Sequence, residues 1–333
     1  MPQRDLVIDA LKGFAILAII CSHITHFNPD ITPYFYTAFL PIFFIISGCV
    51  DKGIPCWMQW KKKGKQLLIP YFTYSFAITI SVIVAIPTAN SIPLFRRIVG
   101  IFYSRFSMFP EKLSESNPQL LINTTPLWFL TCLFLAFGLY YIVLYQNSKR
   151  KQYIAIGIYL IISLALADLP ILLPWSIDTA FVAAIFIFLG HQTRHYILSP
   201  FTALLIFSIA LLLISFDPHQ NFSIREYGQF GKASLLLYIL IGFLYTIGLR
   251  GIFQSLGKII TPLAYLGTLT LRMMILHMPI HTLITTLSLL KGDIYKEARV
   301  IITLALTIIL SIIIPFFTQR LSNKRGLEFM RYL

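Results

Sequence analysis

A lysine and a histidine stand eleven residues apart in one apolar stretch near the start of this 333-residue chain: Lys12 and His23, in Asp9-Ala-Leu-Lys-Gly-Phe-Ala-Ile-Leu-Ala-Ile-Ile-Cys-Ser-His. On a helix that spacing is three turns plus about 20°, so the two side chains share one face, separated by roughly 16 Å along the axis. An ammonium supplies fixed positive charge, and an imidazole is the side chain whose proton exchange lies nearest neutral pH. Inside a membrane span both are expensive, so the pair should face something polar: a cavity, a ligand or a reaction. An elongated cofactor would touch both. In the structural alternative, Lys12 snorkels to the nearer interface and pairs with Asp9 three residues earlier, while His23 is a hydrogen-bonded interior histidine. His26, one turn beyond His23, either assists it or meets the interface.

Other positions carry chemistry in weaker patterns. Arg272 and His277 are five residues apart, about 140° around a straight helix, although Pro279 can bend the local path. Arg272 is expected to line a site, to pair between helices, or to sit at the mouth of a shorter span. His277 and His281, like His191 and His195, have the i,i+4 spacing of metal ligands. Neither pair has a third ligand beside it, so no metal site is expected; His191 and His195 fit a solvated cytoplasmic loop. Ser47-Gly48 suits close helix packing, with a polar contact to substrate as the alternative. No Gly-x-Ser-x-Gly elbow surrounds Ser47, which argues against a nucleophile. Cys21, Cys49, Cys56 and Cys132 have no spacing that suggests disulfides or zinc, and read as small packing residues.

These residues must be held by membrane-spanning helices. Hydrophobic residues make up 57% of the chain and charged residues 12%, about half the charge of a soluble domain. The apolar runs approach the length a helix needs to cross a bilayer and lack the alternation of barrel strands. The reading is an all-α polytopic bundle of about ten spans forming one domain over 1–333. The spans lie at about 6–27, 34–51, 66–88, 120–146, 152–168, 177–191, 199–215, 229–249, 262–289 and 298–319. Arg4 before the first apolar core resembles a signal peptide, but Asp5, Asp9 and the length of the core favour a retained span. The +14 net charge first suggests nucleic acid. It is concentrated, however, in Lys61, Lys62, Lys63 and Lys65, in Lys149, Arg150 and Lys151, and in Arg320, Lys324, Arg325 and Arg331. These patches fall in alternate connections, which marks the cytoplasmic side and places both termini there; nucleic-acid binding is excluded. The connection at 89–119 lies on the outer side, and its aromatic and basic residues (Phe95, Arg96, Arg97, Phe102, Tyr103, Phe106) read as an interfacial helix or a plain surface loop. No internal repeat or soluble catalytic domain is visible.

The basic residue, ten intervening positions and histidine of the first span resemble the integral-membrane acyltransferase family 3. Lys12 replaces the more usual Arg, as in the branch of fucose 4-O-acetylase-like sugar O-acetyltransferases. Phe43-Phe-Ile-Ile-Ser47-Gly48 resembles the family's second-span signature, and Pro126-Leu-Trp128-Phe129 its Trp-Phe signature. Leu173-Pro-Trp175-Ser-Ile-Asp178 is similar to the entrance of the sixth span, and Leu276-His277-Met-Pro279 to a late histidine motif. The matches are ordered along nearly the whole chain.

The resemblance implies transfer of an acetyl group from cytoplasmic acetyl-CoA to a hydroxyl of a cell-surface glycan or lipid-linked sugar precursor. The protein would sit in the cell's inner membrane, with partners in glycan synthesis left open. A sugar hydroxyl is a poor nucleophile until deprotonated, which assigns His23 as general base, with a transient acetyl-histidine as a second route. Lys12 would neutralise CoA phosphate as a point charge, aided by Arg272. On the acceptor side, Ser47 and His277 are candidate contacts. Trp128 is an interfacial anchor or a sugar-stacking platform. Asn221 and Arg225 lie in an outer loop that either holds a sugar or is a solvated connector. The rival class is a transporter or flippase of a sugar or lipid-linked oligosaccharide, with Lys12, His23 and Arg272 lining its path; the absent repeat argues against it. A noncatalytic scaffold is a third class, disfavoured by the charged residues within spans.

Overall fold

The computed structural model describes residues 5–24, 32–85, 93–105, 107–109, 127–218, 224, 229–291 and 296–325. Their regular structure is helical. In chain order the helices are α1 (Leu6–Ile24), α2 (Thr32–Val50), α3 (Trp57–Ala85), α4 (Leu94–Tyr103), α5 (Trp128–Leu144) and α6 (Lys149–Leu166). They continue as α7 (Ile177–Thr193), α8 (Pro200–Phe216), α9 (Ala233–Leu256), α10 (Thr261–Thr268), α11 (Thr270–Lys291) and α12 (Lys296–Arg325). Short 3-10 turns at Pro174–Ser176 and Gly257–Ile260 lead into α7 and α10.

Three stretches among the described residues are long and apolar enough to cross a membrane: Leu6–His23, Pro174–Thr193 and Ala233–Thr268. Thr37–Val50, Trp128–Leu144, Pro200–Phe216 and Ala298–Ile314 are apolar but shorter. A helix of 17 residues is about 25 Å long, the low end of what the hydrocarbon core requires.

Several expected boundaries move, for local reasons. The stretch at 262–289 is two helices, because Leu269 leaves helical geometry (φ −97°, ψ 1°). The Thr268 and Thr270 hydroxyls donate to the carbonyls of Tyr265 and Gly267, both at 2.7 Å, and fix the break. Such side-chain bonds compete with a continuous ladder. The lysines at 61–65 lie on the first turns of α3, not in a loop. Aromatic packing extends the helix there: Trp60 stacks on Phe134 with ring centroids 4.8 Å apart, and its Nε1–H donates to the Phe134 carbonyl at 3.1 Å. Lys149, Arg150 and Lys151 likewise open α6. His191 belongs to the last turn of α7 and not to a loop, held against Arg194 with Nη1 2.9 Å from its Nδ1.

The packing divides the chain into two units. One comprises Met1–Phe43, Ile197–Gln220 and Leu244–Leu333; the other comprises Phe44–Tyr196 and Asn221–Phe243. In the first, α1 is the central element. Ile8, Ala10, Leu11, Ala15, Ile16, Ala18, Ile19 and Ile20 are all buried, so it is apolar nearly all round, as an enclosed helix must be. It packs most extensively on α10 and also on α11 and α12. A Cβ on Gly13 would lie 2.0 Å from the Leu263 carbonyl oxygen, and one on Gly267 would lie 1.7 Å from that of Asp9. The two backbones therefore touch, as small residues permit between membrane helices.

In the second unit, α5 packs on α3, α6 and α7. A reciprocal glycine contact recurs: a Cβ on Gly48 would lie 1.9 Å from the Ile187 carbonyl oxygen, and one on Gly190 would lie 1.9 Å from that of Ile45. A carboxylate fastens one end of this unit. Asp51 accepts from the Gly53 amide and the Tyr141 hydroxyl, both at 2.9 Å, and lies 3.4 Å from Lys63 Nζ. Burial lowers the affinity of the Lys63 amine for its proton, and Asp51 opposes that effect. Asp51→Ala strands a buried hydroxyl and a partly buried ammonium. The expected result is a loss of roughly 1–3 kcal/mol, read as a lower thermal midpoint in detergent, with Asp51→Asn intermediate.

Candidate functional site

The site of greatest chemical interest lies in the first unit, where the C-terminal end of α1 meets α11. There His23 and His277 face each other, with ring centroids 5.3 Å apart and planes at 70°. His23 is exposed, whereas His277 is fully buried. Each ring is held by the backbone of its own helix. His23 Nδ1 lies 2.8 Å from the Ile19 carbonyl oxygen, and His277 Nδ1 lies 3.1 Å from that of Met273. A carbonyl can only accept, so both Nδ1 atoms carry the proton, and in the neutral rings both Nε2 atoms present a lone pair. The Ser22 hydroxyl shares the Ile19 carbonyl at 2.6 Å and supports the His23 rotamer. His277 Nε2 is buried with no hydrogen-bond partner among the described residues. His281 follows one turn later on α11, half-buried, and its Nδ1 likewise finds no such partner.

Lys12 lies on the same helix as His23, nearer its N-terminus. Its Nζ is 3.0 Å from Asp9 Oδ1 in the i,i+3 pairing weighed as an alternative in the sequence. An ammonium has three donors, so this pair leaves two N–H groups. Asp9 itself is buried at the α1–α10 crossing, where its carbonyl meets Gly267. Arg272 is half-buried in the first turn of α11, so the break at Leu269 places it at a helix start and not in mid-span. The sequence did not single out Arg250, a buried arginine of this unit, on α9. A cation in an apolar run was the available signal.

Ser47 and Trp128 belong to the second unit. Ser47 is half-buried on α2, one residue before the Gly48 contact. Trp128 opens α5, half-buried, with its carbonyl accepting from the Thr131 hydroxyl at 2.8 Å. Asn221 and Arg225 lie outside the described residues, as does His26. Among the described residues no group of three His, Cys, Asp or Glu could hold a metal ion.

The second unit also holds a polar corner that sequence reasoning missed. Asp178, fully buried at the start of α7, pairs with Arg105. The neighbouring backbone is left-handed at three non-glycine residues: Ser104 (φ 55°), Trp175 (φ 55°) and Ser176 (φ 56°). Such conformations persist only where contacts hold them. Here Trp175 Nε1–H donates to the Phe102 carbonyl at 2.7 Å, the Tyr103 hydroxyl to that of Leu172 at 2.5 Å, and Ser104 Oγ meets Thr131 Oγ1 at 2.7 Å. An aspartate inside an apolar run was the visible sign; its partner, 73 residues away, was not.

Among known families, the model described as an acyltransferase domain matches residues 5–320 of the chain. The match spans both units and includes every residue of the histidine site. No curated protein and no solved structure matches the chain.

Proposed function

Since the chain belongs to acyltransferase family 3, an all-helical family of membrane acyltransferases, we propose that it moves an acetyl group from cytoplasmic acetyl-CoA to a hydroxyl of a cell-surface glycan or lipid-linked sugar precursor. Resemblance of the first-span Lys12 pattern to the fucose 4-O-acetylase-like branch supports a sugar hydroxyl as acceptor. The proposal includes an inner-membrane bundle of about ten spans with both termini in the cytoplasm.

One observation carries the assignment of His23. Its Nδ1–H is committed to the Ile19 carbonyl, so Nε2 is left as a proton acceptor on an exposed ring at the end of a buried helix. That is the form a general base requires. In the proposed step the acceptor O–H bond breaks and its proton passes to His23 Nε2. The oxygen lone pair forms the new bond to the thioester carbonyl carbon. The C–S bond then breaks, its electrons leave on sulfur, and the proton ends there as the thiol. Lys12, with two N–H groups beyond its contact with Asp9, and Arg272, at the head of α11, supply charge for the donor's phosphates. Ser47, Trp128, Asn221 and Arg225 are the proposed acceptor contacts.

Inverted vesicles from source cells lacking their own copy, supplied with the chain, test this directly. With labelled acetyl-CoA outside, label should accumulate in the glycan or lipid-linked sugar fraction. Export of sugar without acetyl transfer would instead mark a transporter and refute the proposal.

A further inference from the structure

We infer that His277 is a positioning residue for the base: its Nε2 accepts from the protonated His23 and shares the proton that His23 takes from the acceptor, until His23 delivers it to the departing thiolate. This inference rests on the acyl-transfer reading above and assigns His277 a task other than holding the substrate.

The first support is the cost of the arrangement. A buried acceptor without a hydrogen-bond partner loses about 1–3 kcal/mol relative to water, and each such group in a folded protein calls for an explanation. His277 Nε2 is such a group among the described residues. Its ring is fully buried. A phenylalanine or leucine would fill the same space without that cost, and a packing role therefore gives no reason for an imidazole.

Orientation is the second support. The i−4 carbonyl bond at Nδ1 is the same in both rings. Each ring is thereby fixed in one tautomer, with the bare nitrogen on the edge away from its own helix backbone. Ring centroids 5.3 Å apart allow those edges to meet at hydrogen-bond distance, or to hold one hydroxyl between them. While both rings are neutral, two bare acceptors have no proton to share. Once His23 has taken the acceptor's proton, its Nε2–H becomes a donor and His277 Nε2 is the acceptor beside it. The contact is therefore absent in the resting state and forms with the charge that the reaction creates, which is the kind of interaction that lowers a barrier.

The third support is the surroundings. Base histidines are often oriented and stabilised by a carboxylate. Here the Nδ1 position is taken by a backbone carbonyl, and the ring that meets His23 is a second imidazole. A neutral imidazole can both accept a proton and release it, whereas a carboxylate would hold the ion pair. The balance is complete without another reactant: one proton leaves the hydroxyl, is shared between His23 Nε2 and His277 Nε2, and passes from the exposed His23 to sulfur.

The test separates the nitrogens of His277. Asparagine keeps an N–H near Nδ1 for the Met273 carbonyl but lacks Nε2. Glutamine reaches the Nε2 position but cannot take up a proton. In the vesicle assay with labelled acetyl-CoA, both His277→Asn and His277→Gln should lower turnover on the order of 100-fold, with KM for acetyl-CoA changed by less than about threefold. Added imidazole should restore part of the turnover of His277→Ala. Turnover at the wild-type level in His277→Asn, with His23→Gln inactive, would overturn the relay and leave the base assignment standing. Turnover at the wild-type level in His23→Gln would overturn both. Should the His277 variants not fold, nitrogen NMR of the wild-type protein labelled at histidine decides: bare Nε2 on both rings supports the relay, and a protonated Nε2 at His277 in the resting protein overturns it.

Discussion

Alanine at Gly267 is expected to destabilise this protein, although intrinsic helix preference points the other way. A glycine-to-alanine change inside a helix normally gains about 1 kcal/mol. At Gly267 the added Cβ would lie 1.7 Å from the carbonyl oxygen of Asp9 and 2.6 Å from its carbon. Those are backbone atoms, so no rotamer change relieves the overlap. α1 and α10 must separate, and the contacts of Ala10, Leu11 and Ala264, all buried, loosen together. Overpacking of this kind outweighs the preference and leaves a net loss of roughly 2–4 kcal/mol. Gly13→Ala should behave alike, since its Cβ would lie 2.0 Å from the Leu263 carbonyl oxygen. Gly157, on α6, is the control: a Cβ there meets nothing within 4 Å, and alanine should gain about 0.5–1 kcal/mol. Thermal midpoints of the three purified variants in one detergent give the comparison. A gain in stability at Gly267 would show that the two helices do not cross as described.

Replacing His23 by glutamine should remove acyl transfer while leaving the fold intact. The ring sits at the exposed end of α1, and its one strong tie is to the Ile19 carbonyl of its own helix. Little packing is lost, so the thermal midpoint should stay near that of the wild type. Glutamine offers an amide where Nε2 stood but cannot take a proton from a hydroxyl. Positioned proton transfer contributes about 10²–10⁴-fold, and turnover should fall within that range. Binding of acetyl-CoA should change little, because the donor's phosphates are assigned to Lys12 and Arg272. A fall in donor affinity with unchanged turnover would move His23 from the reaction to the donor site.

The helical class and the placement of Lys12 and His23 on one helix were legible in the sequence because they depend on local properties: apolar run length and the absence of a helix breaker between them. Lys12 shows where that stops. Its pairing with Asp9 was one of two local readings, and the choice between them needed coordinates. Helix ends were harder because tertiary contacts set them. The first turns of α3 are basic and read as a loop, yet Trp60 on Phe134 and Lys63 near Asp51 hold them helical. The break at Leu269 is small in sequence terms, and two threonine hydroxyls fix it. The meeting of His23 with His277 was out of reach for a different reason. The two residues lie on separate helices, and a motif names each without saying that their rings touch. Arg105 and Asp178 follow the same logic in the other unit.

His23, its Nδ1 committed to backbone and its Nε2 bare, is proposed to remove the proton that allows acetyl transfer to a sugar hydroxyl. Mass analysis of surface glycans and lipid-linked sugars from cells carrying the wild-type chain, the His23→Gln variant or no copy tests it most directly. One acetyl increment should be present with the wild type and missing both from cells without the chain and from cells with a folded, equally abundant His23→Gln variant. Acetylation by that variant at the wild-type level would contradict it.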